Sequence, residues 1–274
     1  MTINCKGKLI SLQQPKVMGI LNVTPDSFFD GGKYKDELSV LKQVEKMITD
    51  GATFIDIGGY STRPGAFEIA IDTELKRMVP IVELLSKEYP EAILSIDTFR
   101  SKVAKECIQH GAAIINDISA GLQDDNMLPT VAELGVPYIM MHMRGTPKNM
   151  QQQTDYADLI KEILLFFSEK LSLAKSFGIK DIIIDPGFGF AKTLEQNYQL
   201  LRQMALLKLI EHPILAGLSR KSMIYKLLDT TAENALNGTT ALHMVSLQNG
   251  ANILRVHDVK EATECIKLYE QLNA

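Results

Sequence analysis

The chain has 274 residues, enough for one large domain or two small ones with packed cores. Its 46% hydrophobic and 23% charged residues are typical of globular proteins and exclude disordered, collagen-like and fibrous chains. The formal net charge of −4 excludes a bulk basic field for nucleic acid or an anionic membrane. Any phosphate group must therefore be bound by a few local residues.

The cysteines and the N-terminal residues indicate the cellular compartment of the protein. Cys5, Cys107 and Cys265 are widely spaced and form neither a disulfide framework nor a CxxC motif, which favours a reducing compartment. Residues 1–8 lack the apolar region of a signal peptide, and no apolar run approaches the ~18–20 residues of a membrane span. We expect a cytoplasmic protein with no nucleic-acid and no membrane partner.

A unit of apolar, β-branched run, polar loop and helical pattern recurs along the chain. The runs predict strands at 16–24, 53–59, 92–98, 113–119, 137–143, 181–187, 213–219 and 252–258. Amphipathic segments between them predict helices, among them 37–50, 70–87, 101–110, 155–177, 194–210 and 232–250. No linker or low-complexity stretch divides the chain, so we expect one domain over residues 1–274.

Eight strand and helix units in about 250 residues match the count of the (β/α)8 TIM barrel, whereas open doubly wound sheets usually have fewer strands. We therefore predict an α/β fold of the TIM-barrel type. Residues 6–13, before the first barrel strand, are expected to form a short N-terminal hairpin that closes the bottom of the barrel. In this fold the chemistry lies at the C-terminal ends of the strands.

Polar residues end every predicted strand, and side chains of alternate residues share a face. Some of these polar residues could simply be helix N-caps or turn formers. As a set that faces one barrel mouth, they indicate a binding site instead. The oxygen acceptors are Asp97, Asn116 and Asp185, and a planar heterocycle with several N–H groups along one edge would satisfy them.

The cationic donors at the strand ends suit a phosphate or a carboxylate; they are Arg63, Arg220, Lys221, Arg255 and His257. The mouth should therefore be bipolar. Gly217 leaves room for a flat ring near the backbone. Met140 and Phe190 are candidate apolar contacts for that ring, although ordinary core packing would explain them equally well.

Two loops carry more polar and aromatic residues than a connection requires. Residues 24–32 combine turn formers, two carboxylates and two aromatic rings, which is typical of a lid. Residues 58–65 place glycines and hydroxyls around Arg63, which suits an anion. Neither GxGxxG nor GxxxxGK[ST] is present, so a dinucleotide fingerprint and a P-loop are excluded.

The five histidines have no HxxxH or HExxH spacing, which argues against a zinc site built only from protein ligands. Mg²⁺ needs only one or two protein oxygens when a phosphate completes its shell, so Asn22 beside a bound pyrophosphate would suffice. The spacing supports no Ser–His–Asp or Cys–His nucleophile. Cys107 and Cys265 fall in helical patterns and are expected to be buried.

Eight blocks of sequence, in order over residues 16–258, resemble those of the dihydropteroate synthases of the folate pathway. Two of them are long, GILNVTPDSF from Gly19 and STRPG from Ser61. The shorter blocks are DIGG, SIDT, NDI, DPG with a following GF, SRKS and RVHD. Corrinoid-linked methyltetrahydrofolate methyltransferases are similar in the Asp, Asn and Asp pocket, but the STRPG and SRKS blocks favour the synthase.

The resemblance implies three groups of site residues. The pterin would be held by Asp97, Asn116, Met140, Asp185, Phe190, Gly217 and Lys221. The diphosphate would bind Asn22, Thr62, Arg63, Arg255 and His257, with Mg²⁺ at Asn22. The p-aminobenzoate would bind Phe28, Arg63, Pro64, Gly189, Lys221 and Ser222.

The reaction implied by the resemblance joins 6-hydroxymethyl-7,8-dihydropterin diphosphate to p-aminobenzoate and releases pyrophosphate. An arylamine is neutral at pH 7 and needs no strong base, so loss of the diphosphate is the demanding step. We expect an SN1-like step, with catalytic roles for Asp30, Arg63, Asp97, Asp185 and Lys221. A homodimer joined by the late helices is typical of the family. The alternatives are the methyltransferase and a non-catalytic pterin-binding barrel.

The chain departs from the family pattern at three positions. Tyr60 stands where glutamate is common, and Phe188 and Ala191 replace the usual isoleucine and glycine. We expect Tyr60 to alter the local electrostatics of its loop and to leave the reaction unchanged.

Overall fold

The computed structural model describes residues 1–23, 33–60 and 69–273. An antiparallel hairpin of β1 (Thr2–Cys5) and β2 (Lys8–Ser11) precedes an eight-stranded parallel sheet. The sheet strands are β3 (Lys16–Asn22), β4 (Phe54–Gly58), β5 (Ile93–Asp97), β6 (Ile114–Asp117), β7 (Tyr138–Met141), β8 (Ile182–Asp185), β9 (Leu215–Ala216) and β10 (Ile253–Val256).

The sheet closes into a barrel. Its order is β8-β7-β6-β5-β4-β3-β10-β9, and a parallel bridge between Ile184 and Ile214 joins the two edges. The register sets strand ends beside one another, as in the pairing of Gly58 with Asp97. The (β/α)8 architecture predicted from the eight runs is confirmed.

The helices between the strands are α1 (Lys33–Thr49), α2 (Ile71–Glu88), α3 (Ser101–Gln109), α4 (Met127–Leu134), α5 (Leu159–Ser176), α6 (Leu194–Gln203), the short α7 (Ser222–Tyr225), α8 (Leu236–Gln248) and α9 (Val259–Leu272). They bury an apolar layer against the outer face of the barrel, with Val44, Val82, Phe167 and Leu247 in it. A continuous helix predicted over 194–210 is instead α6 followed by a 3₁₀ segment at Met204–Ile210.

The inner face of the barrel has an apolar floor. One side chain from each strand contributes to it: Met18, Phe54, Ile93, Ile114, Ile139, Ile183, Leu215 and Ile253. Ile3, Ile10 and Leu12 of the hairpin pack into the same cluster, so the hairpin closes the barrel bottom as predicted, although it begins earlier, at Thr2. Because side chains alternate along a strand, the residues two positions beyond the floor line the upper barrel.

Candidate active site

The upper barrel is acidic where the floor is apolar. Asp56, Ser95, Asn116 and Asp185 follow floor residues by two positions and are buried. Asp97 follows Ser95 by the same spacing and is partly buried. Strand periodicity thus brings the predicted acceptors Asp97, Asn116 and Asp185 together at one barrel mouth.

Arg255, on the last strand of the barrel, bridges two of these carboxylates. Its Nε donates to Asp56 Oδ2 at 2.6 Å, and its Nη2 donates to Asp97 Oδ2 at 2.6 Å. The arginine side chain is only 19% exposed, so both ion pairs lie largely out of water. These two bonds occupy two of the five N–H groups of a guanidinium, and the others can serve an anion above.

Asp56 is the centre of the polar network, and sequence analysis gave it no role. Besides Arg255, it accepts hydrogen bonds from Ser95 Oγ at 2.6 Å and from Asn116 Nδ2 at 2.9 Å. The sequence signal that could have identified it is a carboxylate two residues after an apolar strand residue, here Phe54, which places both side chains on the same face of the strand. Because Asp56 holds the Asn116 amide nitrogen, the amide oxygen of Asn116 is oriented as an acceptor.

Burial and neighbouring charges shift the pKa values of the side chains at the barrel mouth. Desolvation raises the pKa of Asp97 to about 7; Arg255 opposes this rise and the carboxylate of Asp56 adds to it. Burial alone would lower the pKa of Arg255, but Asp56 and Asp97 raise it above its ordinary value. The guanidinium therefore stays charged while Asp97 can titrate near neutral pH.

Lys221 and Asp185 form the opposite side of the mouth. Burial raises the pKa of Asp185, and Lys221 and the Gly187 N–H, which donates to Asp185 Oδ1 at 2.8 Å, oppose that shift. Burial lowers the pKa of Lys221 to about 8, against the field of Asp185. The Lys221 ammonium donates to the carbonyl of Phe188 and lies 4.7 Å from the ring centroid of Phe190.

The backbone of Gly217 borders the same space. A Cβ at this position would lie 3.6 Å from Asp185 Oδ2 and 4.0 Å from the Cβ of Arg255. The glycine therefore leaves the backbone between Asp185 and Arg255 without a side chain over it, as expected for the approach of a planar ring.

Met140 lies on the other side of its strand. It packs into the helix-facing core with Tyr138, whereas the adjacent Met141 clusters with Met143 and the partly buried Phe190. Placing Met140 against the ring was therefore a misassignment of the strand face. Because successive side chains point to opposite faces, Met141 takes the position toward the mouth.

Asn22 ends β3 on the inner face of the barrel. A Cβ on Gly58 would lie 3.8 Å from Asn22 Oδ1 and 3.7 Å from Asp97 Oδ2, so the absence of a side chain at Gly58 keeps this corner open. Among the described residues, no group of three or more His, Cys, Asp or Glu side chains could hold a metal ion. An amide oxygen beside an open corner still fits Mg²⁺ bound mainly by phosphate and water.

The cationic residues divide into two kinds. His257 is exposed, and its Nδ1 lies 3.2 Å from Ser219 Oγ at the ends of β10 and β9. Arg220 instead forms a bidentate pair with Asp258, with both distances 2.7 Å, and donates to the carbonyls of Ala232 and Glu233. The prediction that Arg220 serves an anion is therefore wrong, because its N–H groups hold the loop after β9.

Gly189 and Ser222 lie on either side of Lys221. Gly189 has φ +81 and its N–H donates to Asn197 Oδ1 at 2.6 Å. A Cβ on Gly189 would lie 3.2 Å from Lys221 Cδ, so a larger residue would crowd the lysine. Ser222 is the first residue of α7, directly after Lys221.

Several predicted site residues lie outside the described residues; they are Phe28, Asp30, Thr62, Arg63 and Pro64. The residues that flank positions 61–68 are well fixed. Arg77 donates to the carbonyl of Gly59 at 3.0 Å, and Arg100 donates to the carbonyl of Ile69 at 2.6 Å. Arg100 is itself paired with the buried Glu74 at 2.7 Å.

Tyr60 contacts this arginine. Its ring lies 5.2 Å from Arg100 Cζ and 5.4 Å from the Phe99 ring, in an edge-to-face geometry. Tyr60 thus joins the pair of Arg100 and Glu74 through a cation–π contact. The departure from glutamate is accommodated in the described residues without an unpaired charge.

The mouth as a whole offers carboxylate and amide acceptors with cations among them, since Arg255 lies between Asp56 and Asp97 and Lys221 lies near Asp185. Asp97, held by Arg255, and the amide oxygen of Asn116, oriented by Asp56, can accept from the N–H edge of a heterocycle. Asp97 and Asp185 are also placed to stabilise positive charge that develops on a bound ring.

The structure describes no helix that is long and apolar enough to cross a membrane.

Comparisons with known proteins agree with this geometry. Residues 18–257 match the family model described as pterin binding enzyme. A dihydropteroate synthase of Escherichia coli (strain K12) is 42% identical over 272 residues, which cover 98% of this chain and 96% of the relative.

Solved structures give the same family. The Yersinia pestis dihydropteroate synthase in a sulfonamide drug complex has a TM-score of 0.93 at 42% identity, covering 100% of this chain and 99% of that one. The Xanthomonas albilineans dihydropteroate synthase in complex with 7,8-dihydropteroate has a TM-score of 0.90 at 35% identity, with the same coverage.

Proposed function

Because the chain belongs to the pterin binding enzyme family and has dihydropteroate synthase function, we propose that its barrel mouth performs the condensation described above. The substrates are 6-hydroxymethyl-7,8-dihydropterin diphosphate and p-aminobenzoate, and the products are 7,8-dihydropteroate and pyrophosphate. The observation that carries the assignment is 42% identity to a dihydropteroate synthase over almost the whole of both chains.

The pterin ring binds in the acidic half of the mouth. Asp97, Asp185 and the amide of Asn116 accept its N–H groups, and Lys221 donates to its carbonyl or ring nitrogen. The support is that Asp56 fixes the orientation of Asn116 at 2.9 Å. Phe190 and Gly217 flank the ring, and Met141 replaces Met140 as the methionine on the inner face.

The diphosphate lies toward the rim. His257, the N–H groups of Arg255 that do not bind Asp56 and Asp97, and the oxygen of Asn22 are the described residues that reach it. The resemblance adds Thr62 and Arg63. Asn22 and the phosphates would hold Mg²⁺, which when bound would neutralise part of the charge of the diphosphate.

The p-aminobenzoate binds above Lys221. Gly189 and Ser222 border this lysine, and a second cation from Arg63 would bind the carboxylate of the arene. Phe28 and Pro64 complete the site by resemblance. The amine nitrogen then faces the methylene carbon of the pterin.

The reaction is SN1-like. The bond from the pterin methylene carbon to the diphosphate oxygen breaks first, and its electron pair leaves with the pyrophosphate. Asp97 and Asp185 stabilise the positive charge on the pterin, and Asp56 helps to hold Asp97 in place through the shared Arg255. The arylamine lone pair then forms the new bond, and the nitrogen, now a strong acid, loses a proton to solvent water. We assign Asp30, in the predicted lid, a matching role.

We also propose a location, a domain organisation and an oligomeric state for the enzyme. We place it in the cytoplasm, since Cys5, Cys107 and Cys265 are buried free thiols. One domain spans residues 1–274. Two copies form a homodimer through the late part of the chain, where large apolar side chains are exposed: Leu227, Leu228, Leu268 and Leu272.

The test measures dihydropteroate and pyrophosphate formation by purified protein supplied with the pterin diphosphate, p-aminobenzoate and Mg²⁺. Product that depends on all three confirms the reaction. Tight pterin diphosphate binding without product favours a non-catalytic barrel or the methyltransferase instead. An Arg255→Met variant should lose activity, whereas Arg202→Met, on an exposed arginine of α6, should retain it.

A further inference from the structure

The loop between β8 and α6 is held by side chains over residues 187–191. Each of these five consecutive carbonyls accepts a side-chain hydrogen bond. Those of Gly187 and Phe190 accept from Lys192, that of Phe188 from Lys221, that of Gly189 from Gln151 and that of Ala191 from Tyr156. Since a loop lacks the regular partners of a helix or strand, these donors satisfy its backbone.

Lys192 supplies the central contacts. It is only 3% exposed, and its Nζ lies 3.0 Å from the carbonyl of Gly187, 3.0 Å from that of Phe190 and 3.0 Å from Nδ1 of His142. Burial lowers the pKa of Lys192 to about 7. The protonated form has three N–H donors, which match these three acceptors.

The hydrogen bond from Lys192 to Nδ1 of His142 requires a neutral imidazole ring. His142 is buried with its ring edge-to-face on Phe166, 4.9 Å between centroids. Burial lowers the pKa of His142 well below its ordinary value, and the charges of Lys192 and Arg144 add to this shift. The neutral ring with its proton on Nε2 can therefore accept at Nδ1 from the lysine.

The loop needs such a restraint because of its backbone conformation. Gly187, Gly189 and Ala191 have φ values of +72, +81 and +49, and the last is a residue with a Cβ. A left-handed alanine is costly unless its surroundings impose it. The fixed carbonyls of Gly187, Phe190 and Ala191 impose this conformation from beneath the site.

The same loop meets Lys221 on its other side. The carbonyl of Phe188 accepts from Lys221, and the ring of Phe190 lies 4.7 Å from the Lys221 ammonium. Phe188 lies between the two carbonyls that Lys192 holds, and Phe190 carries one of them. A shift of the loop would therefore move the partner and the ring that fix Lys221.

We propose that Lys192 is a positioning residue for the synthase reaction, which holds the loop of residues 187–191 so that Lys221 and Phe190 meet the pterin. This inference rests on the proposed function, because it assigns pterin binding to Lys221. Lys192 itself acts from beneath the loop, through its carbonyls.

A double-mutant cycle tests the coupling. Binding of the pterin diphosphate in the presence of Mg²⁺ is measured by calorimetry for the wild type, Lys192→Met, Lys221→Met and the double variant. Lys180→Met, at an exposed lysine before β8, is the matched control and should bind as the wild type does. If Lys192→Met does not fold, Lys192→Gln, whose amide retains two N–H donors, replaces it.

Lys192→Met should weaken pterin binding about tenfold in the wild-type background, the size of one lost charge-assisted hydrogen bond. With Lys221 already removed, the same change should cost less than about twofold, because the loop that Lys192 holds then has no lysine to position. An equal factor in both backgrounds would overturn the proposal and leave Lys192 with a structural role only.

The same measurements separate failure of the Lys221 assignment from failure of the role of Lys192. If Lys221→Met binds the pterin diphosphate as tightly as the wild type, Lys221 is not a pterin residue, and both the site assignment and this inference fail. If Lys221→Met weakens binding but the cycle is additive, only the role of Lys192 is overturned.

Discussion

Arg255 and Asp56 join the last strand of the barrel to its second strand, with 2.6 Å between Nε and Oδ2. The other arm of the guanidinium holds Asp97 at the same distance. One buried cation therefore keeps two carboxylates together at the place where a pterin would bind. Without it, both acids would be buried beside each other with no compensating charge.

Replacing Arg255 with methionine should therefore destabilise the protein. We expect the free energy of unfolding at pH 8 to fall by about 3 kcal/mol, the cost of breaking a buried ion pair from one side. At pH 5 the loss should be smaller, because Asp97, with a pKa raised to about 7, can take up a proton. Urea unfolding at the two pH values measures this, and an equal loss at both would contradict it.

The rate should depend on pH in a bell shape. Protonation of Asp97, whose pKa burial raises to about 7, removes an acceptor for the pterin on the acid side. Loss of the proton from Lys221, whose pKa burial lowers to about 8, removes a donor on the alkaline side. We expect kcat/KM for the pterin diphosphate to show both limbs. Lys221→Arg should move the alkaline limb upward, and a flat profile from pH 6 to 9 would exclude both assignments.

Asp97→Asn should make the protein more stable and less active. The folded pKa of about 7 exceeds the ordinary 3.8, so the folded state holds the extra proton between these values and stability falls as pH rises through them. The variant cannot ionise, so its Tm should exceed that of the wild type above pH 7, with the difference shrinking toward pH 4. Thermal unfolding across this range measures the difference, and a Tm gap independent of pH would refute the argument.

Tyr60 should matter more for stability than for the reaction. Its contacts with Arg100 at 5.2 Å and Phe99 at 5.4 Å lead us to expect that Tyr60→Ala lowers the free energy of unfolding by about 1 kcal/mol. Tyr60→Glu, the residue common in the family, should change kcat/KM by less than about fivefold, since a partly exposed charge is worth about 1 kcal/mol or less. A loss of activity beyond that in Tyr60→Glu would assign Tyr60 a role in the site.

A sulfonamide should compete with p-aminobenzoate. The Yersinia pestis relative was solved in a sulfonamide drug complex, and this chain keeps Gly189, Lys221 and Ser222 together at the proposed arene site. Initial rates at several inhibitor concentrations should show a raised apparent KM for p-aminobenzoate at constant maximal rate. A lowered maximal rate with unchanged KM would place the drug elsewhere.

Local pattern was enough to predict the architecture. Runs such as the one that contains Ile182, Ile183 and Ile184 recur eight times, and strand periodicity alone places Asp97 and Asp185 at one end of the barrel. The order of motifs along residues 16–258 also identified the family. These features depend on residues that are close to one another in sequence, so they can be predicted without a structure.

Other features depend on which side chains meet across the barrel. Arg255 is 199 residues from Asp56, and Lys192 is 50 residues from His142, so no spacing rule connects either pair. The face of Met140 was misassigned because a run buried on both sides has no alternation to read. Closure of the barrel decided these pairings, since only the three-dimensional register brings distant polar groups into hydrogen-bond range.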